Sequence, residues 1–134
     1  MSRAEYFVYD GKAHQWAEEV GYSQAVRLGD TVKCAEQGGW DRSNGELKDD
    51  VAHQVKLAFD NVAEALRIAG SQGWGEVYLV RTYATDLAAA QPLLAKRMKE
   101  FAPHRPIWTS LSVPTLAFPG MQIEVEVEAL LQSK

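Results

Sequence analysis

The chain has 134 residues, 46% hydrophobic and 24% charged, which suits one folded domain (residues 1–134) with one hydrophobic core rather than a disordered or fibrous chain. Its 18 acidic and 14 basic side chains give a formal charge of −4, and no Lys or Arg stripe could neutralise a phosphate backbone, so nucleic acid is excluded as an expected partner. No apolar run is long enough to span a bilayer and Met1 to Asp10 holds no signal-cleavage pattern, so a cytoplasmic protein without a membrane partner is expected.

Tyr6 to Tyr9, closed by Asp10-Gly11, reads as a first strand. Ser23–Leu28 and Thr31–Glu36, separated by Gly29-Asp30, fit two antiparallel strands joined by a two-residue hairpin turn. Gly38 to Gly45 supplies turn formers without periodicity and reads as a loop. From Asp50 to Ala69 the apolar positions Val51, Val55, Ala58, Phe59, Val62, Leu66 and Ala69 recur every three or four residues, which predicts a helix capped by Asp49 or Asp50 and ended by Gly70.

Glu76–Ala84 reads as a strand apolar on both faces, with Val77, Leu79 and Tyr83 on one side and Tyr78, Val80 and Ala84 on the other. A second helix runs from about Asp86 to Phe101, with Pro92 tolerable only within the first turn or so. Strands at Ile107–Val113 and Met121–Leu131 complete the chain. The order suits an α+β layer in which two helices cover one face of a mixed sheet. In the last strand Met121, Ile123, Val125, Val127 and Leu131 face one way, and Gln122, Glu124, Glu126 and Glu128 the other. That outer face is expected to add apolar groups from Glu76–Ala84 and Trp108, a mixture that suits a homo-oligomer contact.

His14, His53 and His104 lie far apart in sequence and none sits in a two-histidine motif with an acidic partner, so no metal site is expected. The lone Cys34 reads as a small buried strand residue. No phosphate loop, dinucleotide fingerprint or nucleophile elbow is present. What remains is Arg105, held between Pro103 and Pro106 on a backbone expected to be extended, and the Glu124, Glu126, Glu128 row. By spacing alone these are a surface arginine and a solvated strand face.

Several segments alter that reading. Gly21-Tyr22-Ser23-Gln24-Ala25-Val26 with Gly29-Asp30-Thr31-Val32, Phe59-Asp60-Asn61-Val62, Val80-Arg81-Thr82-Tyr83-Ala84-Thr85-Asp86, and Arg105-Pro106-Ile107-Trp108-Thr109 running on to Ile123-Glu124-Val125-Glu126 together resemble the Rid (reactive intermediate deaminase, YjgF-like) family from about Gly21 to Ala129. The resemblance implies a chorismate-mutase-like fold and a homotrimer with sites between subunits. It also implies cofactor-free hydrolysis of enamines and imines such as 2-aminoacrylate to 2-oxo acids and ammonia.

Carried over by position, the resemblance makes Arg105 the grip on a carboxylate-bearing small-molecule substrate. Glu124 becomes the residue that positions the attacking water, with Glu126 as the alternative. Tyr22 becomes a group reaching the neighbouring site, and Tyr83 and Ile107 become wall positions. One departure stands out, because Ala35-Glu36 replaces the family's Ser-Gly at the end of the third strand. Glu36 either pairs with Arg105 and blocks acidic substrates, or recruits a substrate bearing a positive group, or turns outward. The leading expectation is therefore an imine deaminase. The alternative is a trimeric binding or regulatory protein without turnover, and a ribonuclease fits an acidic chain poorly.

Overall fold

Residues 3–132 are described in the computed structural model of the chain. Six strands, β1 (Glu5–Phe7), β2 (Ala25–Leu28), β3 (Thr31–Gly38), β4 (Val77–Ala84), β5 (Ile107–Ser112) and β6 (Ile123–Leu130), form one sheet in the order β1-β2-β3-β6-β4-β5. Neighbours are antiparallel except β4 and β5. A parallel pair cannot close through a hairpin, and helix α3 (Leu87–Phe101) is its crossover. Helix α2 (Val51–Ile68) likewise carries the chain from β3 to β4 across the strand that β6 later occupies.

The Asp50 side chain caps α2 by accepting from the Ala52 amide at 3.0 Å, and Gly70 at φ 96° turns the chain after it. Its Val55, Ala58, Phe59, Val62 and Leu66 are buried, as the periodicity predicts. Asp86 caps α3, but Pro92 is its sixth residue, in the second rather than the first turn. The helix loses one ladder bond there, toward the carbonyl of Ala88, on an exposed stretch where water can replace the missing donor.

A third helix, α1 (Lys12–Val20), is added to the two expected, bounded by Gly11 at φ 105° and Gly21 at φ 90°. Only Ala13 and Ala17 of α1 are buried, a stripe too thin to stand out in the sequence.

β6 alternates as expected: Ile123, Val125, Val127 and Ala129 are buried against the helices, while Glu124, Glu126 and Glu128 face the other side. Two face assignments are corrected. A register shift between Val77 and Leu79 turns Val77 into the core with Val80 and Ala84, and turns Tyr78 outward with Leu79 and Tyr83. Trp108 lies on the helix side of β5, its indole Nε1 donating to Thr82 Oγ1 at 3.0 Å, because Ile107, Thr109 and Leu111 take the outward positions opposite Leu79, Arg81 and Tyr83. The outer face thus carries Tyr6, Leu28, Tyr78, Ile107, Leu111 and Leu130, all of them exposed large apolar side chains.

β3 departs from regularity where it matters most. Cys34 pairs with Val127 and Gln37 with Val125, so Ala35 and Glu36 together oppose the single residue Glu126. This is a β-bulge. Behind it, Tyr9 donates its hydroxyl to Gln37 Oε1 at 2.7 Å and accepts from Trp40 Nε1 at 2.9 Å. Asn61 on α2 donates Nδ2 to the carbonyls of Gly38 (2.8 Å) and Trp40 (2.9 Å) and accepts from Arg42 Nη1 at 2.8 Å. An interior α2 residue therefore holds the end of β3. Asn61→Ala leaves both carbonyls without that donor, and should lower unfolding free energy by about 2 kcal/mol with an unchanged urea m-value.

Candidate functional site

Glu124 stands across from Gly38 on β3 and Tyr83 on β4, next to the bulge. With Glu36, Tyr83, Thr115, Leu116 and Ala117 it lines a hollow of about 310 Å³, roofed by the β5–β6 loop. Burial, then the nearby charges of Glu36 and Glu126, push its carboxyl up to about 7.

The three carboxylates of the β6 row are not equivalent. Glu126 accepts the Tyr83 hydroxyl at 2.6 Å and has Arg81 Nη1 at 3.9 Å. Glu128 accepts the Tyr78 hydroxyl at 2.8 Å, with Arg81 at 3.6 Å and Lys33 at 3.9 Å. Among the described residues Glu124 has no cationic partner within 4.0 Å. A carboxyl without a counter-ion, partly shielded and near neutrality, is suited to moving a proton.

Tyr22 borders a second cavity, of about 560 Å³, with Tyr6, Val26, Lys33, Cys34 and Ala35. Burial, and then Glu124, raise its phenol, so Tyr22 and Glu124 share one neighbourhood. Ala35 lines this cavity and Glu36 the smaller one, so the bulge separates the two. Tyr83 is pushed up to about 12, by burial first and then by its bond to Glu126, so it remains a neutral donor. Burial pushes the Cys34 thiol up to about 12, which removes it as a nucleophile.

Arg105 and Ile107 lie elsewhere. Ile107 pairs with Leu79, at the opposite end of β4 from the Tyr83–Glu124 pair. Arg105 is two residues further out, on the order of 20 Å along the strands from Glu124 at about 3.3 Å per residue. Its backbone is not extended. The Arg105 amide bonds to the Ala102 carbonyl at 3.0 Å, closing a turn that leaves Arg105 at φ 59°, in the left-handed region. A side chain with a Cβ adopts that conformation at a cost of about 1 kcal/mol or more. Among the described residues no carboxylate lies within 4.0 Å of its guanidinium, so Glu36 and Arg105 of one chain are not paired.

The structure thus gathers Tyr22, Ala35, Glu36, Tyr83 and Glu124, and leaves Arg105 and Ile107 apart. The Thr115–Ala117 wall and the cations Arg81 and Lys33 are additions that periodicity does not flag; the only sequence signal for the wall is the turn chemistry of Pro114 and Pro119-Gly120. Among the described residues no group of three or more His, Cys, Asp or Glu is placed to hold a metal, and no helix is long and apolar enough to cross a membrane.

Residues 13–131 match the family model described as Endoribonuclease L-PSP. The chain is 32% identical over 124 residues to the RutC family protein YjgH of Escherichia coli (strain K12), covering 91% of this chain and 92% of that protein. The solved structure of protein YjgH superposes with a TM-score of 0.83 at 29% identity over 100% of both chains. Rv2704 of Mycobacterium tuberculosis, a member of the YjgF/YER057c/UK114 family, gives 0.80 at 27% identity over 96% of this chain and 100% of its own.

The site has a stability signature. Glu124 titrates near 7 when folded, against roughly 4.3 for an unfolded glutamate, so the native state holds a proton that the unfolded state releases between those pH values. Stability therefore falls as pH rises through that window. Glu124→Gln should leave Tm nearly unchanged at pH 4 and raise it by roughly 2–4 °C at pH 8, read by thermal unfolding in the two buffers.

Proposed function

The chain belongs to the Rid (YjgF-like, L-PSP) family, and on that premise we propose that it is an enamine/imine deaminase, releasing 2-oxo acids and ammonia from reactive intermediates such as 2-aminoacrylate. The observation that carries this reading is Glu124, a carboxyl with no counter-ion among the described residues, which titrates near neutrality in a hollow beside Tyr22 and Tyr83. As carboxylate it accepts a proton from water while the water oxygen bonds to the imine carbon. Glu124 then returns that proton to the carbinolamine nitrogen and takes up the hydroxyl proton as the C–N bond breaks, so that ammonia leaves and C=O forms. Glu126, bonded to the Tyr83 hydroxyl, is less free for this step.

Arg105 supplies the bidentate grip on the substrate carboxylate in this reading, and Ile107 the adjacent wall. Since Arg105 cannot reach Glu124 of its own chain, productive sites lie between subunits of a homotrimer. The apolar outer face, with Tyr6, Leu28, Tyr78, Ile107, Leu111 and Leu130 exposed around the carboxylate row, supports such an assembly. The reading places a single-domain, cofactor-free enzyme in the cytoplasm. A carboxylate face and a net charge of −4 argue against phosphodiester substrates. A second reading, a binding or regulatory trimer without turnover, is favoured by one observation: burial, and then the charges of Glu36 and Glu126, hold the proposed base partly protonated at neutral pH.

A dehydratase-coupled assay that generates 2-aminoacrylate tests the leading reading. Wild type should accelerate oxo-acid release, and Arg105→Ala and Glu124→Gln should each lower kcat/KM by roughly 10²-fold or more. Light scattering should return the mass of three chains. No acceleration by wild type leaves the binding reading, and unchanged rates in the variants remove the mechanism. The rate should rise with pH through about 7, as Glu124 loses its proton, and Glu36→Gly should move that limb to lower pH by removing a neighbouring negative charge.

A further inference from the structure

On the helix side of the sheet, away from the carboxylate face, a cleft of about 460 Å³ runs between the last turns of α3 and the start of β5. Its floor is apolar: Met98 and Ala102 are nearly fully buried, Ala95 is small, and Pro106 and Trp108 form the β5 wall. Trp108 has already spent its one donor on Thr82, so it offers the cleft hydrocarbon rather than a polar edge. The charged lining residues are Lys99 and Arg105, both exposed, and among the described residues no carboxylate lines the cleft. The left-handed turn that closes on Ala102 sets Arg105 at this rim. In a chain of net charge −4, two cations over an apolar trough form a local inversion of charge.

We propose that this cleft is a second binding site, for a small monocarboxylate with an apolar tail. The tail lies on Met98, Ala102 and Trp108, and the carboxylate sits between Lys99 and Arg105. Size and chemistry agree, since pockets of 300–1,000 Å³ with apolar walls and few convergent polar groups are the usual form of small-molecule sites. On its helix side the cleft is lined by the small side chains of Ala95 on α3 and Ala102 just after it, opposite the edge strand β5. Where the deaminase reading holds, both occupants draw on Arg105, and the ligand inhibits turnover; that inhibition rests on the deaminase reading, whereas binding does not.

The probe is 4-phenylbutyrate, with 4-phenylbutan-1-ol as its uncharged counterpart, titrated into the full chain and followed at the Trp108 indole N–H by NMR, assigned with Trp108→Phe. The acid should saturate with Kd at or below about 1 mM. The alcohol should bind at least about tenfold more weakly, Lys99→Glu should weaken the acid by about tenfold, and Ala95→Leu should abolish binding by filling the trough. Lys99 is exposed, so its variant keeps the test if the Ala95 change disturbs α3. Absence of saturation at about 5 mM, equal binding of acid and alcohol, or binding unchanged in both variants would overturn the site. Because binding is read without turnover, failure of the deaminase reading leaves this result interpretable. In an active enzyme, inhibition by the acid, measured against each variant's own uninhibited rate, should be lost in Ala95→Leu.

Discussion

Everything in this molecule depends on β6 having two incompatible sides. Its Ile123, Val125, Val127 and Ala129 are almost completely buried, and burying such side chains is worth roughly 1.5–3 kcal/mol for each of the larger ones. A one-residue slip would send Glu124, Glu126 and Glu128 into that core and the aliphatics into water. The register is therefore pinned by the core, and the carboxylate row is placed on the opposite face as a consequence. Because β6 is last in the chain yet lies between β3 and β4, both flanking strands inherit their alignment from it.

The functional face follows from where that alignment is broken. The bulge at Ala35-Glu36 sets two residues against Glu126 and places Glu36 near Glu124, and among the described residues no cation lies within 4.0 Å of either carboxylate. Further along, Arg81 and Lys33 partner Glu126 and Glu128. A row of chemically identical side chains thus becomes graded: two members are ion-paired, and one is left with a proton that leaves near neutral pH. The gradient is electrostatic and arises from the unequal distribution of a few cations on adjacent strands.

Arg105 illustrates a different constraint. Its guanidinium and the Glu124 carboxyl sit at opposite ends of β4, so no side-chain rotation within one chain can bring them onto the same small molecule. The apolar residues scattered over the outer face and the separation of the two groups carry the same implication: chemistry that needs both must use a second copy of the chain. Meanwhile the left-handed turn at Arg105 puts it beside Lys99, at the mouth of an apolar cleft on the helix side.

Much of the fold was legible from periodicity, because burial on one side of a helix or strand writes a 3.6- or 2-residue repeat into the chain. That is how α2, with its cap narrowed to Asp49 or Asp50, and the two faces of β6 could be read. Helix α1 could not be, since two alanines suffice to seat it. The exchange of Val77 and Tyr78 across β4 escaped too, because a register shift is decided by the partner strand. For the site, residue identities and the Ala35-Glu36 departure were available from the sequence, which determined which groups could do chemistry. Only the tertiary structure decided which of them meet. Glu36, Tyr83 and Glu124 come from three strands whose proximity depends on sheet order, while Arg105, close to Ile107 in sequence, is carried by β5 to the far end of the same sheet.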